Sequence, residues 1–255
     1  MTDRVIMIAL GGASCSGKTT LAKFLKQILP PERTFILHQD DLTPPAERLP
    51  IHPIYGVQDW DSPETALEWS RFNKVLSYIR QHAALPPPPL YSSHDHMNKQ
   101  NDLPLPDGLI EHWRQVFAEL DERQTSFCIV DGFLMYWDRQ ANAQYDIKLF
   151  VREDEAILRK RREERNGYNT AEGEMWQDPP GYWQNIVWPA YLKAHRHLFR
   201  AGDVEHGRAI KSDSTVNGHA APNADLLVLE ASQYSMADIV RRSCEEIRDY
   251  LIQAS

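Results

Sequence analysis

The stretch GGASCSGKTT, residues 11–20, directly follows the apolar run VIMIAL. Gly12, Gly17, Lys18 and Thr19 fit the spacing G-x-x-x-x-G-K-[ST], whose backbone N–H groups cradle phosphates while the lysine reaches the terminal ones. Such a loop requires a strand before it and a helix after it. Val5 to Leu10 is continuously apolar, as a buried strand is, and Leu21, Leu25, Ile28 and Leu29 recur at helical spacing until Pro30 and Pro31 stop the pattern. The helix N-terminus then aims its free amides and positive dipole end at the place Lys18 reaches. Ser14, Ser16 and Thr20 join these four as candidate positions around a bound nucleoside triphosphate.

Further apolar runs stand in RTFILH, SFCIVDG, YDIKLFV and ADLLVLE, with helical patterns between them. Strands alternating with helices predict an α/β fold, a mostly parallel sheet flanked by helices. The chain closes on an amphipathic helix with Met236, Val240, Cys244, Ile247 and Leu251 on one stripe, opened by Ser235 and Asp238 as a variant capping box. Two stretches break the alternation. Residues 85–108 hold four consecutive prolines and few apolar residues, which predicts an extended surface excursion, and residues 201–223 are polar and turn-rich, which predicts a long mobile loop. Neither announces a second core, so one domain over residues 1–255 is expected, with surface inserts at about 84–124 and 201–223.

A net charge of −8 argues against a nucleic-acid partner or an anionic membrane surface, so phosphate binding should be local. No apolar run is long enough to span a membrane, and the first is too short for a signal peptide, so a cytoplasmic location is expected. Cys15, Cys128 and Cys244 lack metal-like spacing and are expected as free thiols. The pairs His94 with His96 and His195 with His197 have no complementary ligand cluster nearby and are expected as surface histidines.

Phosphoryl transfer needs a charge clamp, magnesium and a group that orients the acceptor oxygen. Thr19 supplies the motif's hydroxyl ligand to magnesium. Carboxylates are then expected at the C-terminal ends of neighbouring strands. ILHQDDL offers Asp40 and Asp41, and CIVDG offers Asp131. One of the first pair would take the proton of a substrate hydroxyl and touch magnesium, while the other caps a turn or binds a sugar hydroxyl; Asp131 would hold magnesium directly or through water. RKRREER, expected to begin a helix, places Arg161 and Arg165 at i,i+4 with Arg162 beside them. They form either a solvated face or a lid, at about 159–182, that brings guanidinium groups to the γ-phosphate. Trp60 and Asp61, placed at a helix start, suit a nucleoside by base stacking and acceptance of ribose hydroxyls, or alternatively core packing and helix capping.

Together GGASCSGKTTLAKFL, QDDLTPP, DWDSPETAL, VDGFLMYW, KRREER and DPPGYWQNIVWPAYLKAHR resemble the nicotinamide riboside kinase family, over roughly residues 5–43, 57–80, 127–199 and, more loosely, 224–251. The resemblance implies transfer of the ATP γ-phosphate to the ribose 5′-hydroxyl of nicotinamide riboside, and it extends to nicotinic acid riboside. It implies Asp40 as proton acceptor and, with Thr19, magnesium ligand. Trp60 and Asp61 would hold the nucleoside, Arg162 would reach the substrate, and Arg161 and Arg165 would meet ATP. Three departures stand out: Trp60 where the family often has tyrosine, Asp131 where glutamate is usual, and the two inserts. The alternatives are a uridine or cytidine kinase, pantothenate kinase, and a non-catalytic ATP-binding regulator.

Overall fold

The computed structural model describes residues 4–93, 103–120, 125–165, 167–170, 173–210, 215–216, 219–220 and 226–254. The central sheet comprises β1 (Val5–Gly12), β2 (Thr34–His38), β3 (Ser126–Gly132), β4 (Ile147–Arg152) and β9 (Leu226–Glu230). Its order is β2-β3-β1-β4-β9, every pairing parallel. Two short hairpins lie outside it: β5 (Tyr168–Asn169) with β6 (Met175–Trp176), and β7 (Thr215–Val216) with β8 (His219–Ala220).

Parallel strands covered on both faces need apolar residues at every position, which explains the unbroken run in β1. Ile6, Ile8 and Leu10 face one layer, built from α1 (Lys18–Ile28), α3 (Leu109–Leu120) and α7 (Met236–Gln253). Val5, Met7 and Ala9 face the other, where α2 (Trp69–His82) and α6 (Trp188–His195) contribute Phe72, Val75 and Tyr191. Short α4 (Arg139–Asn142) follows β3, and α5 (Glu155–Glu163) follows β4. The capping box of α7 is present: Ser235 Oγ accepts from the Asp238 amide at 3.2 Å and Asp238 Oδ2 from the Ser235 amide at 3.3 Å. Cys15, Cys128 and Cys244 are free thiols, the latter two buried.

The structure departs from the sequence expectation in four places. The region from residue 84 onward is not a surface excursion throughout, because Tyr91 is buried and Leu109, Trp113 and Phe117 of α3 pack into the core. Residues 201–210 are likewise anchored: Val204 is buried, and the carbonyls of Val204 and Gly207 accept hydrogen bonds from Arg152. The remainder of that insert, apart from two residue pairs, lies outside the described residues. His195 is a core residue, its Nδ1 2.8 Å from the Tyr191 carbonyl and its ring against Phe150, and burial pushes it down to about 3. His197 is exposed, as expected of a surface histidine, with its Nε2 3.1 Å from the Tyr136 carbonyl, while His94 and His96 lie outside the described residues. Finally, the arginines of RKRREER occupy the last turn of α5 and its exit rather than a helix start. No helix among the described residues is long and apolar enough to cross a membrane.

Candidate active site

The phosphate loop leaves β1 at Gly12, whose φ is +146°. A Cβ there would lie 2.4 Å from the Val151 carbonyl oxygen of β4, so only glycine brings the loop this close to the neighbouring strand. Gly17, at φ +94°, caps α1, and the Ser16 amide closes the turn on the Ala13 carbonyl at 3.2 Å. Ser16 and Lys18 are buried, whereas Ser14, Thr19 and Thr20 are half-exposed. Lys18 Nζ donates to the Ala13 carbonyl at 3.4 Å, which keeps the ammonium over the loop.

Beside it, the ends of β2 and β3 carry the carboxylates. Thr19 Oγ1 donates to Asp131 Oδ2 at 2.7 Å, and His38 Nδ1 lies 3.2 Å from the same oxygen. Burial opposes charge on Asp131, but His38, Lys18 and Thr19 outweigh it and hold the carboxyl below its ordinary range. Asp40 lies in the turn Gln39–Leu42 after β2. It is exposed, and desolvation by the surrounding protein lifts its carboxyl above the ordinary range against the opposing charge of Lys18. Asp41 turns the other way and is buried, Oδ2 accepting from the Tyr91 hydroxyl at 2.7 Å.

These donors suit magnesium. Asp131 Oδ1 is buried without a hydrogen-bond partner among the described residues, next to the Thr19 hydroxyl. Hard oxygens are the ligands magnesium takes, and it completes its shell with water and phosphate rather than an all-protein cage. No group of three or more His, Cys, Asp or Glu able to hold a metal occurs among the described residues.

The second half of the site is built around DWD. Asp59, not Asp61, does the local capping: its Oδ1 accepts from the amides of Asp61 and Ser62 at 3.1 and 2.8 Å. The helix itself begins only at Trp69, so Asp61 is released from a capping role. Asp61 is buried with Oδ2 unpartnered by hydrogen bonds among the described residues, 3.9 Å from Arg162 Nη2. Burial pushes its carboxyl up to about 6, Arg162 opposing and Asp178 and Asp59 assisting. Trp60 is half-buried, its ring 5.6 Å from that of Trp176 on β6. Trp176 Nε1 donates to Asp178 Oδ1 at 3.0 Å, and Asp178 also receives Arg162 through Nε at 2.6 Å and Nη2 at 3.1 Å. Tyr182 ties the halves together, accepting from the Trp60 amide at 3.0 Å and donating to the Gln58 carbonyl at 3.1 Å.

The end of α5 spans both halves. Arg161 reaches the phosphate loop, donating to the Cys15 carbonyl at 3.2 Å while pairing with Glu153, and Arg162 enters the aromatic pocket. Arg165 follows in the exit turn, half-exposed. Trp176, Asp178 and Tyr182 were not singled out from sequence, although the density of aromatic and turn residues after the arginines marks the segment that contains them.

No family model matches the chain. Three curated proteins named nicotinamide riboside kinase do resemble it. That of Schizosaccharomyces pombe is 38% identical over 210 residues, covering 80% of this chain and 85% of the relative. That of Saccharomyces cerevisiae is 34% identical over 211 residues, covering 80% and 83%. That of Eremothecium gossypii is 32% identical over 204 residues, covering 80% and 81%. With this identity sustained along four-fifths of its length, the chain belongs to the nicotinamide riboside kinase family.

Proposed function

We propose that the protein transfers the γ-phosphate of ATP, with magnesium, to the ribose 5′-hydroxyl of nicotinamide riboside, and that nicotinic acid riboside is a second acceptor. The observation that carries this reading is the pair of consecutive arginines. Arg161 is bonded to the phosphate loop and Arg162 to the pocket of Trp60, Asp61, Trp176 and Asp178, so donor and acceptor sites share one helix end. Pyridine stacking on the indoles and acceptance of ribose hydroxyls by Asp61 suit a flat, apolar-faced riboside.

Positioning and charge stabilisation carry the chemistry. Lys18, the loop amides with Ser14, Ser16 and Thr20, and Arg161 and Arg165 hold the phosphates. Asp40 accepts the 5′-hydroxyl proton, and its raised carboxyl makes it a stronger base than an ordinary aspartate. Thr19, Asp40 and Asp131 would hold magnesium, which supplies positive charge to the phosphate oxygens. Trp176 and the lid hairpin exclude water from the transferring group.

The test is ADP release from MgATP against nicotinamide riboside, nicotinic acid riboside, uridine, cytidine and pantothenate, with a no-acceptor control. Turnover confined to the pyridine ribosides is expected. Turnover with pyrimidine nucleosides alone, or none above the control, overturns the proposal.

A further inference from the structure

The turn that carries Asp40 is held on both sides by its neighbours in sequence. On one side, Gln39 is completely buried and its Oε1 accepts from the Leu134 amide at 2.8 Å. It packs so closely on Gly132 that a Cβ there would lie 2.4 Å from Gln39 Oε1. On the other side, Asp41 Oδ2 accepts from the Tyr91 hydroxyl at 2.7 Å, and the same phenol oxygen accepts from the His38 amide at 3.4 Å. Tyr91 thus brackets Asp40, bonding to residues before and after it.

Tyr91 comes from the proline-rich segment, and that segment is itself latched. Arg71 on α2 donates through Nε to the Leu90 carbonyl at 2.8 Å and through Nη2 to the Pro89 carbonyl at 3.3 Å. Arg71 Nη1 pairs with Glu68 at 3.1 Å, and the Glu68 amide donates to the Leu42 carbonyl, the last residue of the Asp40 turn, at 3.0 Å. The start of α2 therefore grips the turn and the insert together. A base must sit within hydrogen-bond reach of the hydroxyl it deprotonates, and small displacements are costly in rate.

We infer that Tyr91 is a positioning residue for phosphoryl transfer: through Asp41 and the His38 amide it fixes the turn that presents Asp40, which gives the proline-rich insert a part in the reaction. This rests on the function proposed above.

The experiment compares Tyr91→Phe, Asp41→Ala and the double variant, measuring riboside-dependent kcat, MgATP affinity by titration, and amide hydrogen exchange across residues 39–43. Tyr91→Phe keeps the buried ring and removes only the bridge. It is expected to lower kcat about tenfold, leave MgATP affinity within twofold, and speed exchange in the turn. The double variant should be no slower than the slower single variant, because both lose one bridge. Phe117→Leu, on the other face of the sheet, should lower the melting temperature with kcat unchanged and so excludes general loosening. Wild-type kcat in Tyr91→Phe, multiplying effects in the double variant, or unchanged exchange in the turn overturns the inference. Should Tyr91→Phe not fold, Arg71→Met unlatches the segment instead: a kcat loss of about threefold is expected, and wild-type kcat overturns it. If the wild-type protein itself does not phosphorylate the ribosides, the proposed function fails, while hydrogen exchange still tests the bracket.

Discussion

Asp61 is a residue whose removal should strengthen the fold. It is buried, one carboxylate oxygen has no hydrogen-bond partner among the described residues, and Arg162 is 3.9 Å away with its closer bonds on Asp178. Asp178 and Asp59 face it as well, as does the Tyr182 hydroxyl. Its carboxyl rises from 3.8 to about 6. An acid that holds its proton more tightly when folded costs nothing below the unfolded value and costs most above the folded one. With about 1.4 kcal/mol for each tenfold change in proton affinity, ionised Asp61 destabilises the ligand-free protein by about 3 kcal/mol at neutral pH. Asp61→Asn approximates the neutral acid in shape. Its stability advantage over wild type should be small near pH 4, grow through pH 6 and then level off, corresponding to about 6–12 °C in melting temperature. Urea unfolding of both proteins across pH 4.5–8 measures this directly. Parallel stability curves, or an advantage that shrinks as pH rises, would refute the assignment of an uncompensated charge. On the proposed function, in which ribose hydroxyls compensate the ionised carboxylate, the same variant should bind riboside poorly, a trade of stability for function.

Four further outcomes follow from the same geometry. Asp40→Ala should lower kcat by about 10³-fold while MgATP affinity stays within twofold, so near-normal turnover would assign the base elsewhere. Gly12→Ala should abolish tight MgATP binding or prevent folding, because its Cβ would meet the Val151 carbonyl oxygen at 2.4 Å, and titration with MgATP checks it. Trp176→Ala should raise the riboside KM about tenfold and leave the ATP KM unchanged, as steady-state kinetics in each substrate would show. Riboside affinity in the wild-type protein should fall as pH drops below about 6, where Asp61 takes up its proton, and calorimetric titration at pH 5 and 7.5 tests the direction.

What was legible in the sequence was local. The phosphate loop, its strand and helix, and the α7 capping box are fixed by spacings of a few residues, and the structure places them as expected. The carboxylates at the ends of β2 and β3 follow from the rule that parallel sheets bind ligands there. What escaped depends on contacts between distant segments. The approach of Trp176 to Trp60 needs the β5–β6 hairpin brought against the DWD turn. Tyr91 sits among prolines and polar residues, a composition that reads as solvated, yet its ring enters the core because Arg71 binds the carbonyls before it. His195 is followed directly by Arg196 and His197, a composition that reads as surface, but its position on α6 turns it towards Phe150. Asp61 is expected at a helix start, whereas Asp59 takes the capping bonds and the helix begins only at Trp69.

The two adjacent guanidinium groups at the end of α5 also bear on the order of events in a catalytic cycle. Side chains on one helical turn move with one backbone, so a displacement that lifts Arg162 from Asp178 in the pocket proposed for the riboside withdraws Arg161 from the phosphate loop as well. Occupancy of either pocket then favours closure over the other, and linkage makes that assistance equal in both directions. The two substrates should accordingly bind with synergy, and neither product should depart while the helix end still rests on its companion.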